Sequence, residues 1–284
     1  MVLKKLNYVY QNQTPFTHQA LFNISSVIPG GSFTMIVGET GSGKSTLLQQ
    51  LDALLLPTSG TIKFGKVAWG SSVSRKKVRL IRQRIGIVFQ IPSKQLFGDT
   101  VKDDLMFGPL NFHFNECQSK RFVQQSLKLL KIPNDLLFKS PFDLSGGQMK
   151  KVAIAGVLAC HPEILLLDEP TVGLDEVSSM DLMKLIERLR LKYHLTIIMV
   201  THEMNWVAKY ATQVLVLKRG RLVADGSPLK LFQNRQLMLK TGLMPPFTIH
   251  FFYLLRHYGI YLKRIPLDQR TLADAIVRKL EMKG

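Results

Sequence analysis

Gly38-Glu39-Thr40-Gly41-Ser42-Gly43-Lys44-Ser45-Thr46 follows the apolar run Ser32-Phe33-Thr34-Met35-Ile36-Val37 and precedes a helical stretch from Ser45 to Leu56. Its first eight residues satisfy the spacing G-x-x-x-x-G-K-[ST] in the strand–turn–helix setting that the pattern requires. Glycines let such a loop wrap with successive N–H groups pointing inward, and the helix N-terminus adds positive potential. Lys44 then reaches the β- and γ-phosphates of a nucleotide, and the Ser45 hydroxyl is placed to coordinate Mg²⁺. These residues predict a nucleoside triphosphate cradle in an α/β chain.

Outward from that loop, apolar runs alternate with amphipathic stretches from residue 1 to about 225, which predicts a parallel sheet covered by helices on both faces. Ile85-Gly86-Ile87-Val88-Phe89, Ile164-Leu165-Leu166-Leu167-Asp168, Thr196-Ile197-Ile198-Met199-Val200-Thr201 and Val214-Leu215-Val216-Leu217 read as further buried strands. Between Val101 and Pro141 the pattern turns helical and polar, as expected of an inserted helical subdomain, placed at about 101–160. Gly226-Ser227-Pro228 punctuates the chain. The expected division is therefore a domain over 1–226 and a helical C-terminal region over 227–284, with amphipathic stretches such as Leu272 to Leu280.

A carboxylate at the C-terminal end of a buried strand beside the phosphate loop is where Mg²⁺ needs an acidic partner. Asp168 fills that role, and Glu169, one residue on, points elsewhere and can polarise an attacking water. Leu144-Ser145-Gly146-Gly147-Gln148 presents a second phosphate-binding surface. Ser145 can cap the following helix, and the glycines bring bare N–H groups to its start. One triphosphate hardly needs two such surfaces from one lobe. The economical reading is that each molecule lends one surface to its own nucleotide and the other to a partner's.

Phosphate loop, LSGGQ and Leu165-Leu166-Leu167-Asp168-Glu169-Pro170, in this order, resemble the ATP-binding cassette (ABC) superfamily over residues 3 to about 225. That resemblance implies a P-loop NTPase fold of the ABC type: a parallel or mixed sheet core, an antiparallel N-terminal sheet, a helical subdomain and a small helical C-terminal region. It implies roles for single residues too. Gln90 would touch Mg²⁺ and the attacking water, Asp175 in Gly173-Leu174-Asp175 would cross a dimer interface, and His202 would contact the γ-phosphate. Tyr10 would stack on adenine, although Tyr8 or Phe16 could substitute. ATP and Mg²⁺ are the implied cofactors, with Ser45, Gln90 and Asp168 toward the metal.

Phe89-Gln90, Gln95-Leu96-Phe97, Phe107-Gly108-Pro109 and Ser140 to Gly156 further resemble the ATPase subunits of energy-coupling-factor (ECF) importers, which take up vitamins and transition-metal ions. GETGSGKST and QLF…FGP are closest to the second of the two ATPase types that pair there. The implied partners are a homologous ATPase subunit, a transmembrane coupling (T) component and a substrate-binding integral-membrane (S) component. The implied location is the cytoplasmic face of the membrane. Homodimer and heterodimer both remain open, because a chain with all motifs intact suits either. Departures occur at Ile91-Pro92-Ser93-Lys94, where the family has an acidic residue thought to meet arginines of the transmembrane subunit. With Lys94 there, that contact must differ, or Asp99, Asp103 and Asp104 carry it. Glu176 replaces a proline, and Lys150-Lys151 replaces an arginine pair, which keeps charge but loses bidentate geometry.

Composition narrows the alternatives. The 284 residues are 46% hydrophobic and 20% charged, ordinary for a globular chain. Two cysteines, Cys117 and Cys160, exclude a disulfide scaffold and suit a reducing compartment. No secretory signal or membrane span is expected, since the apolar segment Gly242 to Leu255 is short and contains Pro245 and Pro246. Thirty-eight Lys+Arg against 20 Asp+Glu gives +18, which attracts polyanions or an anionic membrane. Lys63 to Arg84 alone holds eight basic residues and no acid. A soluble ABC ATPase acting on nucleic acid or ribosomes is the rival reading. Against it, one cassette, no room for long coiled coils and no nucleic-acid-reading module are found, so no nucleic-acid partner is expected. A P-loop kinase leaves LSGGQ unexplained.

Overall fold

The computed structural model describes residues 1–11, 15–262 and 264–281. Among these the strands are β1 (Val2–Tyr10), β2 (His18–Val27), β3 (Phe33–Val37), β4 (Ser59–Phe64), β5 (Val67–Trp69), β6 (Ile85–Val88), β7 (Ile164–Asp168), β8 (Thr196–Val200), β9 (Gln213–Lys218) and β10 (Arg221–Gly226). The helices are α1 (Lys44–Leu51), α2 (Arg75–Arg84), α3 (Val101–Asn111), α4 (Glu116–Leu130), α5 (Gly146–Leu158), α6 (Glu176–Tyr193), α7 (Met204–Tyr210), α8 (Pro228–Gln233), α9 (Arg235–Thr241), α10 (Phe247–His257) and α11 (Gln269–Glu281).

Two sheets result. One runs β2-β1-β4-β5, antiparallel throughout, and the other runs β10-β9-β3-β8-β7-β6, with parallel pairing from β9 to β6 and β10 antiparallel at the edge. Side chains alternate across a strand, so each buried strand of the larger sheet feeds two cores. Phe33, Met35, Val37, Leu165, Leu167, Ile197 and Met199 join the core under the helical subdomain. Ile36, Leu166, Ile198, Val200, Leu215 and Leu217 join the core facing the antiparallel sheet. Helix α1 lies in this second core, where Leu47, Leu48 and Leu51 are fully buried. Each such leucine contributes roughly 1.5–3 kcal/mol of burial free energy. The phosphate loop's helix is thus anchored between the sheets.

Helix α1 is shorter than the Ser45 to Leu56 stretch expected. Asp52 accepts a hydrogen bond from Leu54 N at 2.9 Å and Ala53 takes the left-handed conformation with φ 58°. This local side-chain turn competes with the helix and ends it. Helices α3 to α5 occupy the segment between β6 and β7, and α8 to α11 follow β10. Leu231, Phe232, Met238 and Ile249 from α8, α9 and α10 share the first core, so these helices pack on the body of the chain. Lys263 and residues 282–284 of the expected C-terminal region lie outside the described residues. No helix among those described is long and apolar enough to cross a membrane.

Candidate nucleotide site

Because β3, β7 and β8 are parallel neighbours, their C-terminal ends open at one edge. Ligands in such sheets bind outside the carboxyl ends of the strands. The loop 38–45 leaves β3 there, Glu169 follows β7, and His202 follows β8 by two residues. Val88 of β6 pairs with Leu167 of β7, so Gln90, two residues past the end of β6, leaves the sheet at the same edge. Gln90 is exposed.

The loop needs glycine where the backbone is crowded. Gly38 has φ 151°, and a Cβ there would stand 2.1 Å from Leu217 O and 2.8 Å from Ser42 Oγ. Gly43 caps α1 with φ 96°, and its Cβ would stand 2.8 Å from Ala20 O. Neither position admits a side chain without moving a backbone. Lys44 folds over the loop, its Nζ donating to Gly38 O and Glu39 O at 2.9 Å each. Burial lowers its pKa, partly opposed by the Glu169 and Asp168 carboxylates. Tyr10 Oη lies 3.1 Å from Thr46 Oγ1, and the Tyr8 and Tyr10 rings meet edge-on at 4.7 Å. The fold therefore carries the N-terminal tyrosine to the start of α1.

Asp168 is buried, and burial raises its carboxyl pKa, while the Ser45 hydroxyl and Lys44 ammonium pull it back. Its Oδ1 is a buried oxygen with no hydrogen-bond partner among the described residues. An orphaned carboxylate oxygen beside a serine hydroxyl is a set of hard oxygen donors, which fits Mg²⁺. Glu169 adopts φ 47°, unusual for a residue with a side chain, and its N–H donates to Val200 O at 3.1 Å. Such strain persists only where the surroundings enforce it. The turn sends the Glu169 side chain to His202, whose Nδ1 is 2.9 Å from Glu169 Oε2. The two residues lie 33 positions apart in sequence, and the fold brings them into direct contact.

The signature stands apart. Ser145 caps α5, accepting from Gln148 N at 3.3 Å, while Gln148 Oε1 accepts from Ser145 N at 3.0 Å. This reciprocal box rigidifies the helix start and occupies the Gln148 side chain. Gly146 has open space where a Cβ would be. No hydrogen bond or ion pair among the described residues joins Ser145, Gly146, Gly147 or Gln148 to residues 38–46. Asp175 caps α6, accepting from Ser178 N at 2.8 Å and Ser178 Oγ at 2.6 Å, and these bonds lower its pKa.

The place of Lys150 beside Glu169 escaped sequence reasoning, which read it only as a charge-keeping replacement. Lys150 is 5% exposed, and its Nζ donates to Val172 O, in the turn that follows Glu169. Burial lowers its pKa and the Glu169 carboxylate raises it. A lysine in the run Met149-Lys150-Lys151 carries no sign of which member is buried; only packing against the turn after β7 distinguishes Lys150 from the half-buried Lys151.

Residues 21–172 match the ABC transporter family. The ATP-binding protein EcfA2 of an energy-coupling factor transporter from Lactiplantibacillus plantarum is 45% identical over 99% of this chain and 95% of its own length. The protein of the same name from Enterococcus faecalis is 43% identical over 99% and 97%. This chain belongs to the ABC transporter family, as an energy-coupling factor ATPase. The ECF ATPase shares its fold with CbiO1 of Clostridium perfringens, described as part of the transporter complex cbiONQ. That pair gives a TM-score of 0.73 at 38% identity, covering 88% of this chain and 97% of CbiO1. The cassette MJ0796, solved as a dimer bound to ADP and Pi, gives 0.72 at 27% identity over 80% and 98%. The relatives' shared name agrees with the second ATPase type expected from the GETGSGKST and QLF…FGP wording.

Proposed function

We propose that this ECF ATPase works as one of a pair, with ATP held between the phosphate loop of one subunit and the signature of the other. The observation that supports this reading is the separation just described: one phosphate surface is a connected group, and the other faces outward, capped and glycine-lined. Tyr10 would face the adenine, the loop 38–46 the phosphates, and Ser145, Gly146, Gly147 and Asp175 the partner's side. Ser45, Gln90 and Asp168 would hold Mg²⁺, whose charge neutralises the β- and γ-phosphate oxygens.

Glu169 is the residue for orienting and deprotonating water, and His202 fixes it through the 2.9 Å contact. Closure under ATP and opening after hydrolysis would be a difference in affinity of nucleotide states for two conformations. The C-terminal region, 227–284, would help hold the two ATPases together without nucleotide, and the domain division at 226 belongs to this proposal. Exposed Phe247, Tyr258 and Tyr261 suit that use.

The energy would drive uptake of a vitamin or a transition-metal ion through T and S membrane components, from the cytoplasmic face. A cavity of about 230 Å³ lined by Gln95, Leu96, Phe97, Asp104 and Phe107 is the candidate dock for a transmembrane segment. Of the three acids considered for its basic residues, Asp103 is engaged by Thr100 Oγ1 at 2.5 Å, and Asp99 is exposed. Asp104 accepts from Phe97 N at 3.0 Å and keeps Oδ2 buried and unpartnered. Asp104 would then stand in for the acid lost at Ser93-Lys94.

The test is oligomeric state against turnover. Size-exclusion chromatography of Glu169→Gln should show a dimer with and without nucleotide, which ATP compacts in the intact chain but not after removal of the signature serine and glycines. Full-rate ATP cleavage by a strict monomer would overturn the pairing.

A further inference from the structure

We propose that α2 and the adjoining β4–β5 hairpin form a docking surface for anionic phospholipid headgroups. Seven of the eight basic residues between Lys63 and Arg84 are exposed: Lys63, Lys66, Arg75, Lys76, Lys77, Arg79 and Arg82. Only Arg84 makes a hydrogen-bonded ion pair with an acid among the described residues, donating to Glu163 Oε2 at 2.9 Å. The same guanidinium sits 4.4 Å over the Phe64 ring and so fastens the hairpin carrying Lys63 and Lys66 to the end of α2. Lys63, Lys66, Arg75, Lys76, Lys77 and Arg79 are therefore gathered on one body with no ion pair to an acid among the described residues, while Arg82 interacts with the buried Asp52 carboxylate. Ile81 is the residue of α2 that enters the core.

Two features select lipid over nucleic acid. Leu80 stands 46% exposed among the cations, beside an open concavity lined by Val73, Ser74, Lys76 and Lys77. Cations flanking an exposed apolar side chain match the headgroup boundary of a bilayer. Single-stranded nucleic acid would instead be expected to find aromatic platforms. Phe64 is covered by Arg84, and Trp69 is 3% exposed with its Nε1 donating to Gln50 O. Neither aromatic of the segment can stack on a base.

The orientation of this surface rests on the docking reading given above. Arg82 lines the same cavity as Asp104 and Phe107, and Arg79 donates to Asn111 O at the end of α3, so α2 forms a rim of the groove assigned to the transmembrane segment. A helix on that rim faces the bilayer. Attraction to anionic lipid falls off within a Debye length of the surface, so closeness is required.

Vesicle sedimentation of the full chain separates the outcomes. The wild type should bind protein-free vesicles of equal phosphatidylglycerol and phosphatidylcholine, release at high salt, and ignore pure phosphatidylcholine. Arg75→Glu, Lys76→Glu and Lys77→Glu together should lower that binding by about tenfold or more, with ATP hydrolysis unchanged. Charge reversal at Arg278 and Lys279 of α11 serves as the control and should leave binding intact. Wild-type binding by the α2 variant, loss in the α11 variant instead, or preference for double-stranded DNA at equal phosphate concentration would each overturn the lipid assignment. Protein-free vesicles contain no membrane subunit, so failure here leaves the docking groove itself standing.

Discussion

The phosphate loop is held by its own backbone and by neighbours from β1, β2 and β9, whereas at the signature the fixing is done within one helical turn. Lys44 bonds its own loop, Tyr10 reaches Thr46 from β1, and Leu217 O and Ala20 O close in on Gly38 and Gly43. Ser145 and Gln148 bond each other, and Gly146 faces open space. The first arrangement leaves a buried polar atom for a ligand, Asp168 Oδ1. The second leaves backbone N–H groups at a helix start. A loop surrounded by its own chain is ready to hold a nucleotide; a capped helix end turned outward is ready to meet one held by another molecule.

The comparison can be broken at its most populated point. Glu169→Gln should keep ATP binding and cut hydrolysis by ~10²–10⁴-fold, the usual worth of a positioned general base. Phosphate release measured beside a binding isotherm checks it, and normal turnover removes Glu169 from the role.

Asp52, at the end of α1, gives the next largest effect. Burial pushes its carboxyl from 3.8 up to about 6, opposed by the Leu54 N–H and Arg82. The folded chain thus binds a proton that the unfolded chain releases, so stability falls as pH rises from about 4 to about 6 and is flat above. The full shift amounts to about 3 kcal/mol at most. Asp52→Asn keeps an acceptor for Leu54 N, so it should stabilise the protein at neutral pH and flatten that slope in thermal melts across pH. An unchanged slope would move the titration elsewhere.

Lys44→Ala removes a charged donor from the phosphates and should weaken ATP binding by ~10–10²-fold, from the 1.5–3 kcal/mol of a charge-assisted hydrogen bond. Calorimetric titration of the single subunit reads this directly. The smallest effect sharpens the contrast. Ser145→Ala loses a helix cap worth about 1 kcal/mol, lowering Tm by roughly 2–4 °C. Nucleotide affinity of the isolated subunit should stay at the wild-type value while hydrolysis by the pair declines. A fall in single-subunit affinity would mean that the signature already touches the subunit's own nucleotide.

Much of the site was legible because its chemistry is local. A phosphate loop must place glycines, lysine and serine within nine positions, and a helix cap must place Ser145 three residues before Gln148; such spacings survive in one dimension. The carboxylates were legible for a related reason, since a continuous apolar run ending in two acids marks a strand leaving the core. The end of α1 was not, because the Asp52 turn competes with a helix on nearly equal terms until burial decides it.

By itself the sequence determined that this chain is an α/β ATPase with one phosphate loop, one signature and a basic segment before Gln90, since each rests on neighbours in the chain. Tertiary structure alone decided the rest: that Glu169 meets His202, that Tyr10 meets Thr46, that Lys150 is buried beneath the turn after β7, and that Asp104 keeps an unpartnered oxygen in the groove. These pairs lie on different strands and helices, and only the order of parallel strands in the sheet sets the distance between them.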